Sequence, residues 1–162
     1  MVSLKVRDTL NILLLNEIDV IFENNGLNMN FLKKAELVNI IVNEIIYSAP
    51  VNWSKIVYYT ERLRDEEIGL RNKDIARCWL GNEKIPHNNS KGPPLRSSVE
   101  LFDAVDELFI DSEKNKDIWT GFSVVVNRDG KYITQFYYKD TPLLDNKTDE
   151  CTAKLDALSE MN

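Results

Sequence analysis

Few residues in this sequence have the types and spacing that catalysis or metal binding requires. The chain has a single histidine, His87, which lies beside Pro86 with no cysteine or second histidine near it. Cys78 and Cys151 are far apart, and neither belongs to a Cys-x-x-Cys pair, so we expect no structural zinc site and no disulfide framework. We interpret His87 as a solvent-exposed loop residue rather than a base or a ligand.

Acidic side chains are the only other candidates for catalysis. Asp8, Asp103, Asp106 and Asp111 could in principle supply a pair of carboxylates. Those on the third predicted helix point away from its apolar stripe, and therefore away from any dry cleft that would tune a catalytic carboxyl group. We interpret them as solvated carboxylates, so an enzyme is the least favoured class of function and no cofactor is expected.

Composition excludes several other classes of protein. The chain has 162 residues with a formal net charge of -6, and a nucleic-acid-binding protein needs a basic surface instead. No sequence of the Gly-x-Gly-x-x-Gly or Walker type occurs, and Gly121 and Gly130 are better explained by sheet packing and a turn. No apolar run approaches the roughly 18–20 residues of a membrane-spanning helix. We therefore expect a cytoplasmic protein that binds neither nucleic acid nor membrane.

Negative charge is concentrated in two parts of the chain. Residues 97–118 contain seven acidic residues and two lysines, and residues 140–162 contain six acidic residues and two lysines. Glu100, Asp103 and Glu107 are three and four positions apart on a predicted helix, where like charges destabilise the helix by a few tenths of a kcal/mol each. Two interpretations are open: a helix kept soluble by its acids, or a surface for a positively charged partner.

Hydrophobic periodicity predicts four helices. They cover residues 3–24, residues 30–48 with Phe31 on the core side, a segment capped by Ser97 or Ser98, and residues 149–161. The third helix has its apolar residues at helical spacing, with Leu101, Phe102, Val105, Leu108 and Phe109 in one stripe.

Alternation with a period of two predicts the strands. The first strand begins at Trp53, a weaker strand covers residues 75–80, and residues 66–70 add a short strand between them. Residues 119–127 and 131–138 form a hairpin around Gly130, which can adopt a positive φ. Residues 81–95, rich in Pro and Gly, form a long exposed loop. A basic group on this sheet is expected to be ion-paired: Arg62, Arg64, Arg71, Lys73 and Arg77.

The order of these elements lacks the β-α-β alternation of a parallel sheet. It predicts an α+β protein in which helices pack on an antiparallel sheet. We expect a single domain over residues 1–162, with an added N-terminal helix (1–28), a core (30–140) and a C-terminal tail with a helix (141–162).

Two segments read together resemble the YezG-type immunity proteins. They are NEIIYSAPVNWSKIVYYTERL (residues 43–63) and IWTGFSVVVNRDGKYITQFYYKD (residues 118–140). The family shows a leading helix, a tryptophan-led strand, a short antiparallel sheet, an acidic helix and a W-x-x-F…D-G-K-Y…F-x-Y hairpin in this order. The matching positions are Trp53, Tyr58, Trp119, Phe122, Asp129, Gly130, Lys131, Tyr132, Phe136 and Tyr138. These residues look structural rather than catalytic.

The resemblance implies a cytoplasmic protein that binds and neutralises a cognate toxin domain, commonly a nuclease delivered between bacteria by contact-dependent growth inhibition. Such a protein is a stoichiometric inhibitor without turnover. Nuclease clefts are cationic, and an acidic surface would meet them with complementary charge.

Candidate contacts follow from charge and expected exposure. The acidic candidates are Glu100, Asp103, Asp106, Glu107 and Asp111. Trp79 and the 81–95 loop are candidate apolar anchors. The alternative from another class is a non-inhibitory acidic adaptor or chaperone-like module that recruits a basic protein.

Overall fold

The elements of the molecule were identified in a computed structural model, which describes residues 29–81, 83–84 and 97–162. The helix expected over residues 1–28, His87 and most of the 81–95 loop lie outside the described residues.

Three helices and five strands make up the described part of the chain. The helices are α1 (Met29–Ser48), α2 (Val99–Lys114) and α3 (Thr148–Ser159). The strands are β1 (Lys55–Asp65), β2 (Gly69–Leu80), β3 (Glu83–Lys84), β4 (Gly121–Asn127) and β5 (Tyr132–Tyr137). They form one sheet in the order β3-β2-β1-β4-β5, in which all neighbours are antiparallel. The predicted α+β class, with helices on an antiparallel sheet, is confirmed.

The central strand β1 is covered on both faces. Ile56 and Tyr58 belong to the core beneath α1 and α2, whereas Val57 and Tyr59 belong to the core beneath α3. Successive side chains of a strand point to opposite faces, so the continuous run of aliphatic and aromatic residues from Ile56 to Tyr59 supplies apolar side chains to both faces of the sheet. The sheet therefore lies between two helical layers.

The first hairpin is longer than the sequence pattern indicated. β1 and β2 pair without interruption from Lys55 with Trp79 to Asp65 with Gly69. The expected short strand over residues 66–70 is wrong, because residues 66–68 form the turn. The Asp65 carboxylate fixes this turn by accepting hydrogen bonds from the backbone N–H groups of Glu67 and Ile68, an arrangement typical of aspartate in turns.

Helix α2 begins as its sequence predicts. The Ser98 side chain accepts a 3.1 Å hydrogen bond from the backbone N–H of Leu101, which satisfies one of the free donors of the first turn. Its hydroxyl also donates to the Glu44 carboxylate of α1 at 2.8 Å. The start of α2 is thereby fixed against the end of α1. The apolar stripe differs at one position, since Phe102 is exposed and Ala104 is buried instead.

The second face of the sheet is covered by the C-terminal residues. Glu61, fully buried on β1, accepts hydrogen bonds from the backbone N–H groups of Leu143 and Leu144 at 3.0 and 2.7 Å. Lys55 Nζ donates to the carbonyl oxygens of Ser159 and Met161, both at 2.7 Å, where a cation complements the C-terminal end of a helix. These contacts position α3 against β1.

Candidate protein-binding surface

The solvent-facing side of α2 combines acidic and apolar residues. Glu100, Asp103 and Glu107 are exposed, and neither Glu100 nor Asp103 has an ion pair or side-chain hydrogen bond with any described residue. Three large apolar residues share this side: Val99 (70% exposed), Phe102 and Ile110. We call these six residues the α2 face. Exposed apolar side chains within a charged surface are typical of contact surfaces.

Asp106 has a different role from the one expected. Its Oδ1 accepts a 2.8 Å hydrogen bond from Nε of Arg62, whose side chain is fully buried, while 37% of the Asp106 side chain is exposed. Removing one partner of a buried ion pair strongly destabilises a protein, because it leaves the other charge buried without compensation. Asp106 is therefore a structural ion-pair partner of β1, and its charge is not free to meet a partner.

A polar network continues from Arg62 into the interior. Asp74 on β2 accepts hydrogen bonds from Arg62 Nη1 and from the Tyr58 hydroxyl, each at 2.8 Å, and another from the Thr60 hydroxyl. Burial lowers the pKa of the Arg62 guanidinium, but Asp74, Tyr58 and Asp106 together outweigh it and raise that pKa. Burial raises the pKa of Tyr58 well above its usual value, with Asp74 acting in the same direction.

The predicted basic group of the sheet is largely ion-paired. Arg64 binds the Glu113 carboxylate with Nε at 2.9 Å and Nη2 at 2.7 Å, and Arg77 Nη1 lies 3.8 Å from Asp156. Arg62 and Arg64 lie on the central strand, however, and not on a sheet edge. The hydrogen bond from Arg64 lowers the pKa of Glu113. These side chains join the helices to the sheet.

Two more acidic candidates are engaged within the chain. Lys33 Nζ of α1 forms an ion pair with Glu107 Oε1 at 2.8 Å, and its hydrogen bond to this carboxylate raises the pKa of the lysine. Asp111 is buried and its Oδ2 accepts a 3.1 Å hydrogen bond from Asn115 Nδ2. The interpretation of the helix aspartates as solvated carboxylates is therefore wrong for Asp106, which is paired with Arg62, and for Asp111, which is buried.

Trp79 does not present an exposed aromatic side chain. It is 9% exposed and packs in the core beneath α3. Its backbone carbonyl accepts hydrogen bonds from the Ser54 N–H and hydroxyl at 2.6 and 2.8 Å. The expectation of an accessible anchor at Trp79 is contradicted, because this position alternates toward the covered second face of β2. The exposed apolar residues of α2, Val99, Phe102 and Ile110, are the accessible candidates instead, although the sequence analysis did not select them.

A small cavity lies where α1 begins and α2 ends. Its volume is about 120 Å³, and its walls include Phe31 and Lys34 from α1, Asp111 and Ser112 from α2, and Trp119. Leu108, Asn115 and Asp117 complete the lining. Phe31, expected in the core, is exposed at this cavity. The rows of α2 that carry Asp103 and Glu107 continue to Asp111 at steps of four residues, so the α2 face leads to the cavity.

A second polar cluster holds α3 on the sheet. Lys154 Nζ lies 4.6 and 4.0 Å from the ring centroids of Tyr59 and Tyr137 and 3.3 Å from the Tyr59 hydroxyl, which donates to Glu61 at 2.7 Å. Burial lowers the pKa of Lys154, opposed by the charge of Glu61. The arrangement satisfies a buried carboxylate and orients a cation over aromatic rings.

Neither a metal site nor a membrane-spanning helix is found among the described residues, and comparisons with known proteins add no assignment to this surface. Among the residues that the structure describes, no group of three or more His, Cys, Asp or Glu could hold a metal ion. None of the described helices combines the length and apolar character needed to cross a membrane. No protein-family model matches the chain, and no curated protein matches it.

Proposed function

We propose that this chain is an immunity protein that binds and neutralises a cognate bacterial toxin domain, a nuclease with a basic surface, in the cytoplasm of the producing cell. It acts by stoichiometric protein–protein inhibition and not by turnover. The resemblance of residues 43–63 and 118–140 to YezG-type immunity proteins motivates this proposal.

The observation that carries the proposal is the composition of the α2 face. Glu100 and Asp103 are exposed acids without partners among the described residues, while Asp106, by contrast, is held by Arg62. Unpaired acids speed the encounter with a cationic cleft. The neighbouring Val99 and Ile110 offer apolar area that would be desolvated in a complex. Charge and apolar exposure on one helix together support recognition of a basic protein.

The experiment is co-expression with the toxin domain that we expect a neighbouring gene to encode, since immunity genes usually lie beside the gene of their toxin. We expect growth rescue and a one-to-one complex on size-exclusion chromatography. Loss of toxin activity in a purified reaction, at a one-to-one ratio, would establish inhibition. A stable complex that leaves the toxin active would contradict inhibition and identify a non-inhibitory adaptor, and the absence of both rescue and complex would contradict the proposal entirely.

A charge-reversal pair locates the surface. Glu100→Lys with Asp103→Lys should weaken the complex and reduce protection, because both carboxylates are exposed and unpaired. The matched control is Glu66→Lys with Glu67→Lys at the β1–β2 turn, which makes the same change in net charge on exposed residues. Equal weakening by both pairs would show a general effect of net charge and reject the α2 face as the contact.

A further inference from the structure

Strand β5 lies at one end of the sheet, and among the described residues its outer edge has no neighbouring strand. Proteins protect such edges with charged residues, proline or very short strands, because the free backbone groups of an edge can pair with another chain. The opposite edge follows this rule, since β3 has only two residues. β5 does not follow it: its six residues, YITQFY, include no charge, proline or glycine. An uncharged edge of this kind favours pairing with another strand.

Hydrogen bonding within the sheet determines which backbone groups of β5 face outward. The N–H of Asn127 donates to the carbonyl oxygen of Lys131 at 2.8 Å, so these two residues form a hydrogen-bonded pair at the end of the β4–β5 ladder. Such pairs alternate with non-hydrogen-bonded pairs along antiparallel strands. Thr134 stands opposite Val124, which is a pair of the second kind. The N–H and C=O of Thr134 therefore point to the free edge, near its centre.

A second copy of the same strand can pair with this edge about a twofold axis. The two strands are then antiparallel and must meet at residues whose backbone groups face outward. Two registers satisfy this condition and pair nearly the whole strand. In the first register, Thr134 lies opposite Thr134 of the second copy, and Tyr132 lies opposite Phe136. In the second register, Gln135 lies opposite Gln135 of the second copy.

Charges beside the strand distinguish the two registers. In the first register, Asp129 lies opposite Lys139 of the second copy, and Lys131 lies opposite the uncharged Tyr137. In the second register, Lys131 lies opposite Lys139 on both sides of the axis. Opposite charges across two strands stabilise the pair and like charges destabilise it. Asp129 and Lys139 are both exposed, and the ion pair of Asp129 with Lys131 at 3.6 Å leaves 56% of the Asp129 side chain accessible. The first register is therefore favoured.

We propose that β5 pairs with β5 of a second copy in the first register, so that two sheets join into one continuous antiparallel sheet with its twofold axis at Thr134. Tyr132 then lies beside Phe136 of the second copy, an aromatic pair of the kind that stabilises adjacent strands. One strand edge buries less than the roughly 1,200 Å² of stable interfaces, so we expect a weak dimer with a dissociation constant on the order of 100 µM. No residue of the α2 face belongs to β5, so the inference does not rest on the proposed function.

Sedimentation equilibrium of the whole chain tests the association. Between about 10 µM and about 1 mM, a range that spans the expected dissociation constant, the average mass should rise from 18.7 kDa toward twice that value. Lys139→Glu should weaken the dimer about tenfold, because it replaces two attractive pairs with two repulsive ones. The matched control is Lys114→Glu, which makes the same change in net charge on an exposed residue of α2. It should leave the dissociation constant unchanged.

Cysteine cross-linking measures the register. Thr134→Cys places two cysteines opposite each other in a hydrogen-bonded pair, with Cα atoms about 5.5 Å apart, which is within the range of a disulfide. Gln135→Cys is the control for random collision, because Gln135 is the exposed residue of the strand but does not lie opposite itself in the first register. The native Cys78 and Cys151 are buried. We expect mild oxidation to convert Thr134→Cys to a covalent dimer faster than Gln135→Cys.

Three outcomes overturn the proposal. A mass that stays at 18.7 kDa over the whole range would exclude the dimer, and faster cross-linking of Gln135→Cys would exclude the register. Equal weakening by Lys139→Glu and Lys114→Glu would show that net charge, and not the pair of Asp129 with Lys139, controls association. None of these measurements includes the toxin. A monomeric chain beside successful growth rescue would therefore remove only the dimer, whereas a dimer without rescue would remove only the immunity function.

Discussion

Asp106 on α2 and Arg62 on β1 form an ion pair across the helix–sheet boundary, with Arg62 Nε 2.8 Å from Asp106 Oδ1. Arg62 is fully buried and also binds Asp74 at 2.8 Å. The guanidinium thus connects β2, β1 and α2, and it sets the position of α2 over the sheet. The exposed acids of the α2 face are held in place by a charge that solvent does not reach.

The two carboxylates around Arg62 should differ in their importance for stability. Asp74→Asn is expected to lower the free energy of unfolding by about 3–5 kcal/mol, because it leaves a buried cation with a weaker partner. Asp106→Asn should cost less, about 1–2 kcal/mol, since its partly exposed side chain gives water access to that end of the pair. Urea unfolding of both variants measures the difference. Equal losses would mean that Arg62 is hydrated in solution.

Stability should fall in alkaline solution. Burial raises the pKa of Tyr58 and Tyr59 above the usual value, and a hydrogen bond to Glu61 adds to this for Tyr59. The folded protein therefore favours the neutral form of each tyrosine. This preference contributes fully to the free energy of unfolding below the unfolded-state pKa of about 10, and the contribution is lost as the pH rises further. Lys154, whose pKa burial lowers, acts in the opposite direction. We expect the two tyrosines to outweigh it.

The measurement is the urea midpoint between about pH 8 and pH 11, on either side of the tyrosine pKa. Tyr59→Phe should reduce the steepness of the alkaline decline while lowering the midpoint at pH 8. A decline of unchanged steepness would show that Tyr59 ionises in the folded protein.

Gly121 should not tolerate a methyl group. A Cβ atom there would lie 2.9 Å from the Tyr59 hydroxyl oxygen and 3.2 Å from Tyr137 Cβ. Gly121→Ala is therefore expected to cost about 1–3 kcal/mol through overpacking. Gly69→Ala is the control for backbone strain, since its φ is +91° and nothing lies within 4 Å of the added atom.

The two glycine variants respond differently to a smaller neighbour. In a Tyr59→Phe background, Gly121→Ala should cost less because the closest contact is removed, whereas Gly69→Ala should be unaffected. Thermal unfolding of the four combinations tests this, and additive effects at Gly121 would exclude a direct clash.

Glu61→Gln should release the C-terminal residues from β1. The carboxylate accepts from Leu143, Leu144 and Tyr59, and an amide nitrogen cannot replace an accepting oxygen. We expect a loss of about 1–3 kcal/mol and faster hydrogen exchange at the amides of Leu143 and Leu144. Exchange that stays slow at both amides would show that packing alone holds this segment.

The proposed complex should form faster at low salt. Replacing Glu100 and Asp103 with glutamine and asparagine removes two exposed charges and is expected to lower the association rate about several-fold, with less effect on dissociation. Stopped-flow association at two ionic strengths measures this. A rate insensitive to both salt and substitution would place the contact away from the α2 face.

Local signals in the sequence were sufficient for several elements. The second hairpin was predicted from its Asp-Gly turn, and Gly130 does adopt a positive φ of 85°. The start of α2 was predicted from Ser97 or Ser98 as a cap, and Ser98 is the cap. The turn at residues 66–68 was missed although it also has local signals, since Asp65 accepts from the N–H groups of Glu67 and Ile68 and Gly69 adopts a positive φ of 91°. Periodicity assigned residues 66–70 to a strand because it does not register an aspartate and a glycine four positions apart as one turn.

The candidate site was harder to predict, because its acids have partners that are distant in sequence. Arg62 is 44 residues from Asp106, and periodicity cannot show that a basic residue lies beneath a particular turn of a helix. Trp79 was misassigned for a similar reason, as α3 covers it from the other end of the chain. The exposure of Glu100 and Asp103 was predicted because it depends only on helical spacing.

The helical layer formed by α3 can pack on the sheet only after β1 to β5 have been synthesised, because its residues follow them in the chain. Val57 and Glu61 are covered by residues 143–158, which are made after β5. Until these residues pack, the sheet would present one bare apolar face, the kind of transiently exposed surface that makes folding intermediates prone to aggregation.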